Sequence, residues 1–293
     1  DCNTRMGTGS GVCGEAEAFF SEGLHQLGGL YLTSGVRSVV GLMSLRDTET
    51  IDPELLEAVH GFKARMEWYL TNRPDLASLV SRWQVPGEGS RRLVALTRGH
   101  RMKCVLRRML DPNEFLSPFG VRSLSKYHQE HPYHLTVRGE EKVVNYEPAE
   151  SQTGLFGGNS NWRGPVWFPI NFLLIESLQK FHYYYGDDFK VECPTGSGRF
   201  VSLDEVANEL SNRMIKIWLR DEKGERPFTR NLGDSLGGEA GRERCLFHEY
   251  FHGDSSAGLG ESNHTGWTGR VAQLIQQQRS RGTIVKLVPC PDW

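Results

Sequence analysis

The sequence predicts an all-α protein with two concentric layers of helices and one small β-hairpin inserted between helices. Nearly apolar helices alternate with amphipathic ones along the chain. That alternation is expected when inner helices are buried on both sides and outer helices on one. Long loops rich in Gly, Asn, Trp and His join the helices, and we expect the loops at one end to carry the functional site.

Local signals place the helices of the first 110 residues. Asp52 followed by Pro53 is an N-cap with proline at the first helical position, so a helix is predicted to begin there. A second helix begins after Gly61 and ends before Pro74, because the residue before a proline avoids helical geometry. Apolar residues at helical spacing between Val94 and Leu110 predict a third helix, with a break at Gly99 as the alternative.

The remaining elements are also marked by spacing. From Pro132 to Pro148 apolar and polar residues alternate, which predicts the β-hairpin. The longest helical run extends from Val166 to Tyr185, and its other faces are apolar too, so it is predicted to be buried on both sides. Ser202 with Glu205 forms a capping box at the start of the next helix. A last helix is predicted from Gly266 to Gln278.

Composition limits the classes of partner. Lys and Arg number 34 against 36 Asp and Glu, a balance that argues against nucleic acid or an anionic membrane surface and favours a neutral substrate. No stretch approaches the roughly 20 apolar residues that a membrane span requires. The six cysteines include no C-x-x-C pair, so reduced thiols are expected. The chain starts without an initiator Met or a signal peptide, which indicates the middle of a longer, cytoplasmic protein.

The loop from Gly154 to Trp167 has a composition that suits a sugar pocket. It reads G-L-F-G-G-N-S-N-W-R-G-P-V-W and combines two indoles, a guanidinium and amide side chains. Sugars present flat C–H faces and a rim of hydroxyl groups, which stack on indoles and bind Asn and Arg donors. An alternative stays open, in which the two indoles are core anchors and Arg163 pairs with a buried carboxylate.

A second loop, Cys245 to Gly260, contains Glu249 between aromatic residues, a setting suited to acid or base chemistry. The same loop contains H-E-Y-F-H, the H-E-x-x-H pattern of zinc peptidases. A zinc peptidase needs that motif on a continuing helix, whereas Gly253 follows the second histidine directly, so zinc is only a lesser alternative. The third loop, Gly260 to Trp267, also combines polar side chains with an indole before a helix, which suits a binding site. The alternative is a solvated connection in which Trp267 is a packing residue.

In this order and spacing, the three loops resemble the C-terminal half of the catalytic domain of glycoside hydrolase family 63, including its mannosylglycerate-hydrolase-like branch. Weaker similarity covers S-P-F-G-V-R-S-L-S and Y-E-P-A-E-S. The resemblance implies an (α/α) six-hairpin toroid, incomplete in this chain, whose unpaired inner helices would expose apolar faces. It divides the chain into a divergent N-terminal remnant (1–34), the C-terminal part of the toroid (35–280) and a tail (281–293).

The resemblance also implies a function, the inverting hydrolysis of α-glucosidic or α-mannosidic bonds in a glycosylglycerate or short oligosaccharide. Glu249 would be the general base, and no cofactor or metal is expected. The implied carbohydrate-binding residues are Asn159, Asn161, Trp162, Arg163, Trp167, His252, Asp254, His264 and Trp267. The family's acid, an aspartate, lies upstream of the matching part, and the stretch from Gly11 to Glu22 looks like a degraded copy of a family segment. A truncated or inactive relative that only binds sugar is therefore the alternative, and the oligomeric state stays open.

Overall fold

The computed structural model describes residues 23–25, 31–33, 35–77, 83–97, 99–137, 139–154, 163–230 and 245–281. The described part is mainly helical and carries small antiparallel strand pairs, with no closed barrel among these residues. The chain divides into two compact units, Asp1–Asp111 with Glu176–Val206, and Pro112–Ile175 with Ala207–Trp293. Within the same ranges, we find no helix with the length and apolar character needed to cross a membrane.

The α-helices of the described residues are, in chain order, α1 (Pro53–Ala58), α2 (His60–Asn72), α3 (Pro74–Ala77), α4 (Gly99–Met109), α5 (Phe168–Tyr185), α6 (Leu203–Lys216), α7 (Thr265–Thr268) and α8 (Val271–Ser280). The strands are β1 (Gly23–His25), β2 (Tyr31–Thr33), β3 (Thr48–Ile51), β4 (Arg92–Ala95), β5 (Leu116–Ser117), β6 (Gly120–Val121), β7 (Tyr133–Val137), β8 (Glu140–Val144), β9 (Lys190–Glu192), β10 (Phe200–Ser202), β11 (Tyr250–Phe251) and β12 (Gly258–Leu259). Each strand forms an antiparallel pair with one other: β1 with β2, β3 with β4, β5 with β6, β7 with β8, β9 with β10, and β11 with β12.

Elements with strong local signals form where the sequence predicts them. The hairpin is confirmed as β7 and β8. At the start of α6, the Ser202 backbone N–H donates to Glu205 Oε2 at 2.8 Å, and the Glu205 N–H donates to Ser202 Oγ at 3.4 Å, so the capping box is confirmed. Helix α5 ends at Tyr185, directly before Gly186, which has a φ of 69°.

Three predictions differ from the structure in their details. A helix beginning at Val94 is wrong, because Val94 lies in β4 opposite Glu49 of β3. The helix begins at Gly99, where the alternative places a break. Asp52 occupies the N-cap position, but its carboxylate makes no cap bond and instead accepts hydrogen bonds from Arg91 Nε (2.9 Å) and the Tyr183 hydroxyl (3.1 Å). The predicted last helix is divided into α7 and α8.

Helix α2 leaves much of its apolar surface accessible. It buries none of its residues, and Trp68 is 62% exposed. An open groove of about 720 Å³ lies along it, lined mostly by apolar residues of α2 and β4 and by Trp83, with Thr48 and Glu49 of β3 at one side. The first unit therefore carries exposed apolar helix surface.

A buried asparagine anchors the first half of α5 in the second unit. Asn171 is 1% exposed, its Oδ1 accepts a hydrogen bond from the Val121 N–H at 2.7 Å, and its Nδ2 donates to the Val121 carbonyl at 3.0 Å. The amide thus satisfies both backbone groups of one residue of β6, as a neighbouring strand would. Phe168 and Phe172, on the same half of the helix, are fully buried.

We expect Asn171→Leu to lower the free energy of unfolding by about 2 kcal/mol or more, because it leaves the Val121 N–H and carbonyl buried without partners. Urea denaturation measures this as a lower midpoint. An unchanged midpoint would contradict the role assigned to this side chain.

Candidate active site

Backbone hydrogen bonds join the three predicted loops. Strand β11 pairs with β12, and its Phe251 also forms an antiparallel bridge with Val166, with N–H to carbonyl distances of 2.8 and 3.0 Å. The Glu249 N–H donates to the Glu261 carbonyl at 2.8 Å, and the His264 N–H donates to the Phe247 carbonyl at 2.7 Å. The structure therefore brings the loops together around β11, which directly follows the candidate base Glu249.

A row of aromatic rings lines this junction. The Trp167 indole stacks on the Tyr250 ring, with ring centres 4.7 Å apart and planes inclined by 21°. Trp267 packs edge-on against Trp167 at 6.4 Å, and the His264 ring lies 5.4 Å from Trp267. Trp167 is buried, whereas Trp267 is 37% exposed and borders a cavity of about 230 Å³ that also involves Arg270. The Trp267 indole is therefore accessible to a ligand, whereas the buried Trp167 indole packs against the rings of Tyr250 and Trp267.

The position of the Glu249 carboxylate depends on a glycine. Gly260 has a φ of 66°, a conformation that favours glycine, and a methyl group added to it would lie 2.7 Å from Glu249 Oε2 and 2.8 Å from Tyr250 Cε1. The half-buried carboxylate and the neighbouring phenol ring therefore both pack against bare backbone at this point.

The sequence interpretation missed a second carboxylate beside Tyr250. The Tyr250 hydroxyl donates a hydrogen bond to Glu150 Oε2 at 2.9 Å. Burial raises the pKa of the Tyr250 hydroxyl well above its ordinary value, and the hydrogen bond to Glu150 and the charges of Glu150 and Glu249 raise it further. The phenol therefore remains a donor at all ordinary pH values. The only signal for Glu150 in the sequence is the weakly matching Y-E-P-A-E-S segment.

Arg163 is held within the protein. Its guanidinium lies 3.3 Å from Glu147 Oε2 and donates to Thr153 Oγ1 at 2.7 Å, and its side chain is 2% exposed. The Glu147 side chain is 12% exposed, so Arg163 pairs with a largely buried carboxylate, as the alternative interpretation of this loop predicts. This pair fixes the start of the segment that leads into α5.

His252 and Asp254 shape the turn that connects β11 to β12. His252 Nδ1 accepts hydrogen bonds from the N–H groups of Asp254 (3.1 Å) and Ser255 (3.2 Å). Asp254 Oδ1 accepts from Arg122 Nη2 at 2.8 Å, and Arg122 Nε donates to the Tyr146 hydroxyl at 3.0 Å. Both predicted binding residues are thus engaged by the protein itself. The buried Arg122 was not predicted, although it lies in the weakly matching S-P-F-G-V-R-S-L-S segment.

The H-E-x-x-H segment does not have the geometry of a zinc peptidase. Its central residues, Tyr250 and Phe251, form a strand, so the two histidines do not share one face of a helix. His248 is 3% exposed, and its ring packs so closely on Gly258 that a methyl group there would lie 2.1 Å from it. Among the described ranges no three His, Cys, Asp or Glu side chains are grouped so that they could hold a metal ion.

Some predicted features lie outside the described residues. They are the pocket residues Asn159, Asn161 and Trp162, the divergent stretch from Gly11 to Glu22, and residues 282–293 of the predicted tail.

The buried histidine makes stability depend on pH. Burial lowers the pKa of His248 below its ordinary value, and burial also lowers that of His252, against the opposing charge of Asp254. The unfolded chain therefore takes up protons near pH 6.5 that the folded chain takes up only at lower pH, so stability falls as the pH falls through this range. We expect a lower urea midpoint at pH 5.5 than at pH 7.5, and a smaller drop in His248→Phe. An equal drop in both proteins would contradict the role of His248.

Comparison with known proteins identifies relatives for most of this chain. The model of the mannosylglycerate hydrolase MGH1-like glycoside hydrolase domain matches residues 93–268. Uncharacterized protein YMR196W of Saccharomyces cerevisiae is 47% identical over 245 residues, which are 82% of this chain and 22% of that protein.

Two more distant relatives are named for an activity. The mannosyl-oligosaccharide glucosidase of Saccharomyces cerevisiae is 23% identical over 176 residues, and the probable mannosyl-oligosaccharide glucosidase of Schizosaccharomyces pombe is 22% identical over 178. Each match covers 60% of this chain and 15% of the relative. The chain thus spans 15% to 22% of the length of these three curated relatives. The resemblance to glycoside hydrolase family 63 is confirmed, and the chain belongs to the mannosylglycerate hydrolase MGH1-like glycoside hydrolase domain family.

Proposed function

We propose that this chain contributes the general base and part of the sugar pocket to an inverting α-glycosidase. The observation that carries the proposal is the position of Glu249 at the junction of three hydrogen-bonded loops in a glycoside hydrolase domain. Glu249 is followed by Tyr250, whose ring stacks on the Trp167 indole. A half-buried carboxylate next to a cluster of aromatic rings suits a sugar ring and an attacking water.

In this mechanism Glu249 removes a proton from water as the water oxygen bonds to the anomeric carbon from the face opposite the leaving group. The glycosidic bond breaks, and a second carboxyl group protonates the departing oxygen. Inversion requires about 6.5 to 9.5 Å between the two carboxyl groups, so that the water fits between base and sugar. We propose that this acid is an aspartate outside the segments that carry the family resemblance, as the family pattern implies.

The substrate proposed is an α-glucoside or α-mannoside, either a short oligosaccharide or a glycosylglycerate. The similarity to the two mannosyl-oligosaccharide glucosidases supports a glucosidic bond, and membership of the mannosylglycerate hydrolase MGH1-like family supports a mannosidic one. Trp267, with its exposed indole and adjoining cavity, is the proposed stacking residue. Trp162, Asn159 and Asn161 are proposed to complete the pocket.

The fold proposed for the complete catalytic domain is the (α/α) six-hairpin toroid. Residues 35–280 would form its C-terminal part, flanked by a remnant (1–34) and a tail (281–293). The exposed apolar face of α2 supports an incomplete ring. The cytoplasmic location expected from the sequence stays a prediction.

A second candidate is a relative that binds sugar without hydrolysing it. It stays open because the aspartate that acts as acid in the family lies outside the segments that carry the resemblance. Sugar binding without bond cleavage would distinguish it from the first proposal.

Glycosyl fluorides test the proposal without depending on the acid, because fluoride departs with little need for a proton donor. We expect the full chain to release fluoride from α-glucosyl or α-mannosyl fluoride and not from the β-anomers. Binding of methyl α-glycosides without fluoride release would favour the second candidate. Release from both anomers at equal rates would contradict the proposal.

A further inference from the structure

We propose that Glu150 is a sugar-binding carboxylate of this site, held in place by the Tyr250 hydroxyl and accepting hydrogen bonds from hydroxyl groups of a neutral saccharide. The inference rests on the proposed function and adds a recognition residue to it. Glu150 lies 99 residues before the candidate base in the chain, yet its Oε2 accepts the hydrogen bond from the Tyr250 hydroxyl.

The donor in this hydrogen bond has a fixed position. Tyr250 is 4% exposed, its backbone pairs with Leu259, and its ring stacks on Trp167. Strand pairing and ring stacking already immobilise Tyr250. Its hydroxyl can therefore bind a partner side chain with little further loss of the conformational entropy of Tyr250. Glu150 itself is exposed, so a ligand can reach it.

The carboxylate keeps capacity for a ligand. Its two oxygens offer roughly four acceptor positions, and the Tyr250 hydroxyl uses one of them. A ligand that approaches Glu150 must therefore supply hydrogen-bond donors, and the hydroxyl groups of a saccharide do so. The exposed Trp267 indole, which packs against Trp167, supplies a face for the C–H groups of the same ligand.

The charge at this point also limits the substrate. The Tyr250 hydroxyl is influenced by the negative charges of both Glu150 and Glu249. A carboxylate or phosphate on the ligand would be repelled by this pair, whereas neutral hydroxyl groups would not. At this subsite the arrangement therefore selects a neutral sugar unit, and any anionic substituent would have to lie elsewhere.

A binding measurement on the full chain tests the inference, with methyl α-glucoside, methyl α-mannoside and their monodeoxy derivatives as probes. We expect Glu150→Gln to weaken binding of the preferred glycoside about tenfold, as expected for loss of a hydrogen bond to a charged group. One monodeoxy derivative, which lacks the hydroxyl that Glu150 binds, should bind both proteins equally. Tyr250→Phe, which keeps the ring and removes the hydroxyl, should weaken binding less and add little to the effect of Glu150→Gln.

Glu141→Gln is the matched control, because Glu141 is an exposed glutamate on β8 that pairs with His134. The affinity of this variant for the preferred glycoside should equal that of the wild type. Unchanged affinity in Glu150→Gln, or an equal loss for every deoxy derivative, would overturn the inference. If fluoride release by the wild type persists in that case, the proposed function stands. A wild-type chain that neither binds these sugars nor releases fluoride would overturn both.

Discussion

Replacement of Glu249 by glutamine is expected to slow fluoride release from the preferred α-glycosyl fluoride by about 10²–10⁴-fold, the usual contribution of a general base. Glutamine keeps the size of the side chain and its packing on Gly260, but it cannot take up a proton from the attacking water. Because the loss affects the transition state and not ground-state binding, the affinity for methyl α-glycosides should change little.

The control for this prediction is Glu222→Gln, which removes an exposed carboxylate in the turn after α6 and should leave the rate unchanged. Circular dichroism and the urea midpoint of Glu249→Gln should match those of the wild type. A Glu249→Gln protein that retains most of the wild-type rate would exclude Glu249 as the base.

The largest stability effect is expected at Arg122. Its side chain is 4% exposed, and it donates hydrogen bonds to Asp254 and to Tyr146. Arg122→Leu removes the nearer of the two cations beside Asp254, whose side chain is 35% exposed, and leaves Lys126 Nζ at 3.9 Å. Removing one partner of a buried ion pair lowers the free energy of unfolding by about 3–5 kcal/mol. Because Asp254 is partly exposed, we expect a loss at the lower end of this range, about 3 kcal/mol. The turn from His252 to Ser256 should lose its anchor at the same time.

Urea denaturation followed by tryptophan fluorescence measures this loss. Lys142→Leu is the control, because Lys142 forms an exposed ion pair with Glu140 and its removal should leave the midpoint unchanged. If Arg122→Leu unfolds at the wild-type midpoint, the ion pair does not hold this turn.

Elements with local signals could be predicted from the sequence because their causes lie within a few residues. The capping box of Ser202 and Glu205 and the β7–β8 hairpin are examples. Val94 could not be assigned correctly, because its strand exists only through pairing with β3, more than 40 residues earlier. The N-cap Asp52 likewise forms its bonds with Arg91 and Tyr183, which local spacing cannot reveal.

In the candidate site too, features with local signals could be predicted and features that depend on long-range contacts could not. The three loops that carry Trp167, Glu249 and Trp267 were recognisable because each is a continuous segment. Glu150 and Arg122 were missed because their partners are 100 and 132 residues away in the sequence. A glutamate or arginine alone is more often a solvated surface residue, so only the folded arrangement reveals these two.

The central claim is that Glu249 directs a nucleophile to the anomeric carbon with inversion. The most direct test is proton NMR of the products that Glu249→Ala forms from the α-glycosyl fluoride in the presence of azide, a small nucleophile that needs no base. The account predicts a β-glycosyl azide, and free β-sugar as the first product of the wild type. An α-configured azide or α-sugar would mean retention of configuration and would contradict the role assigned to Glu249.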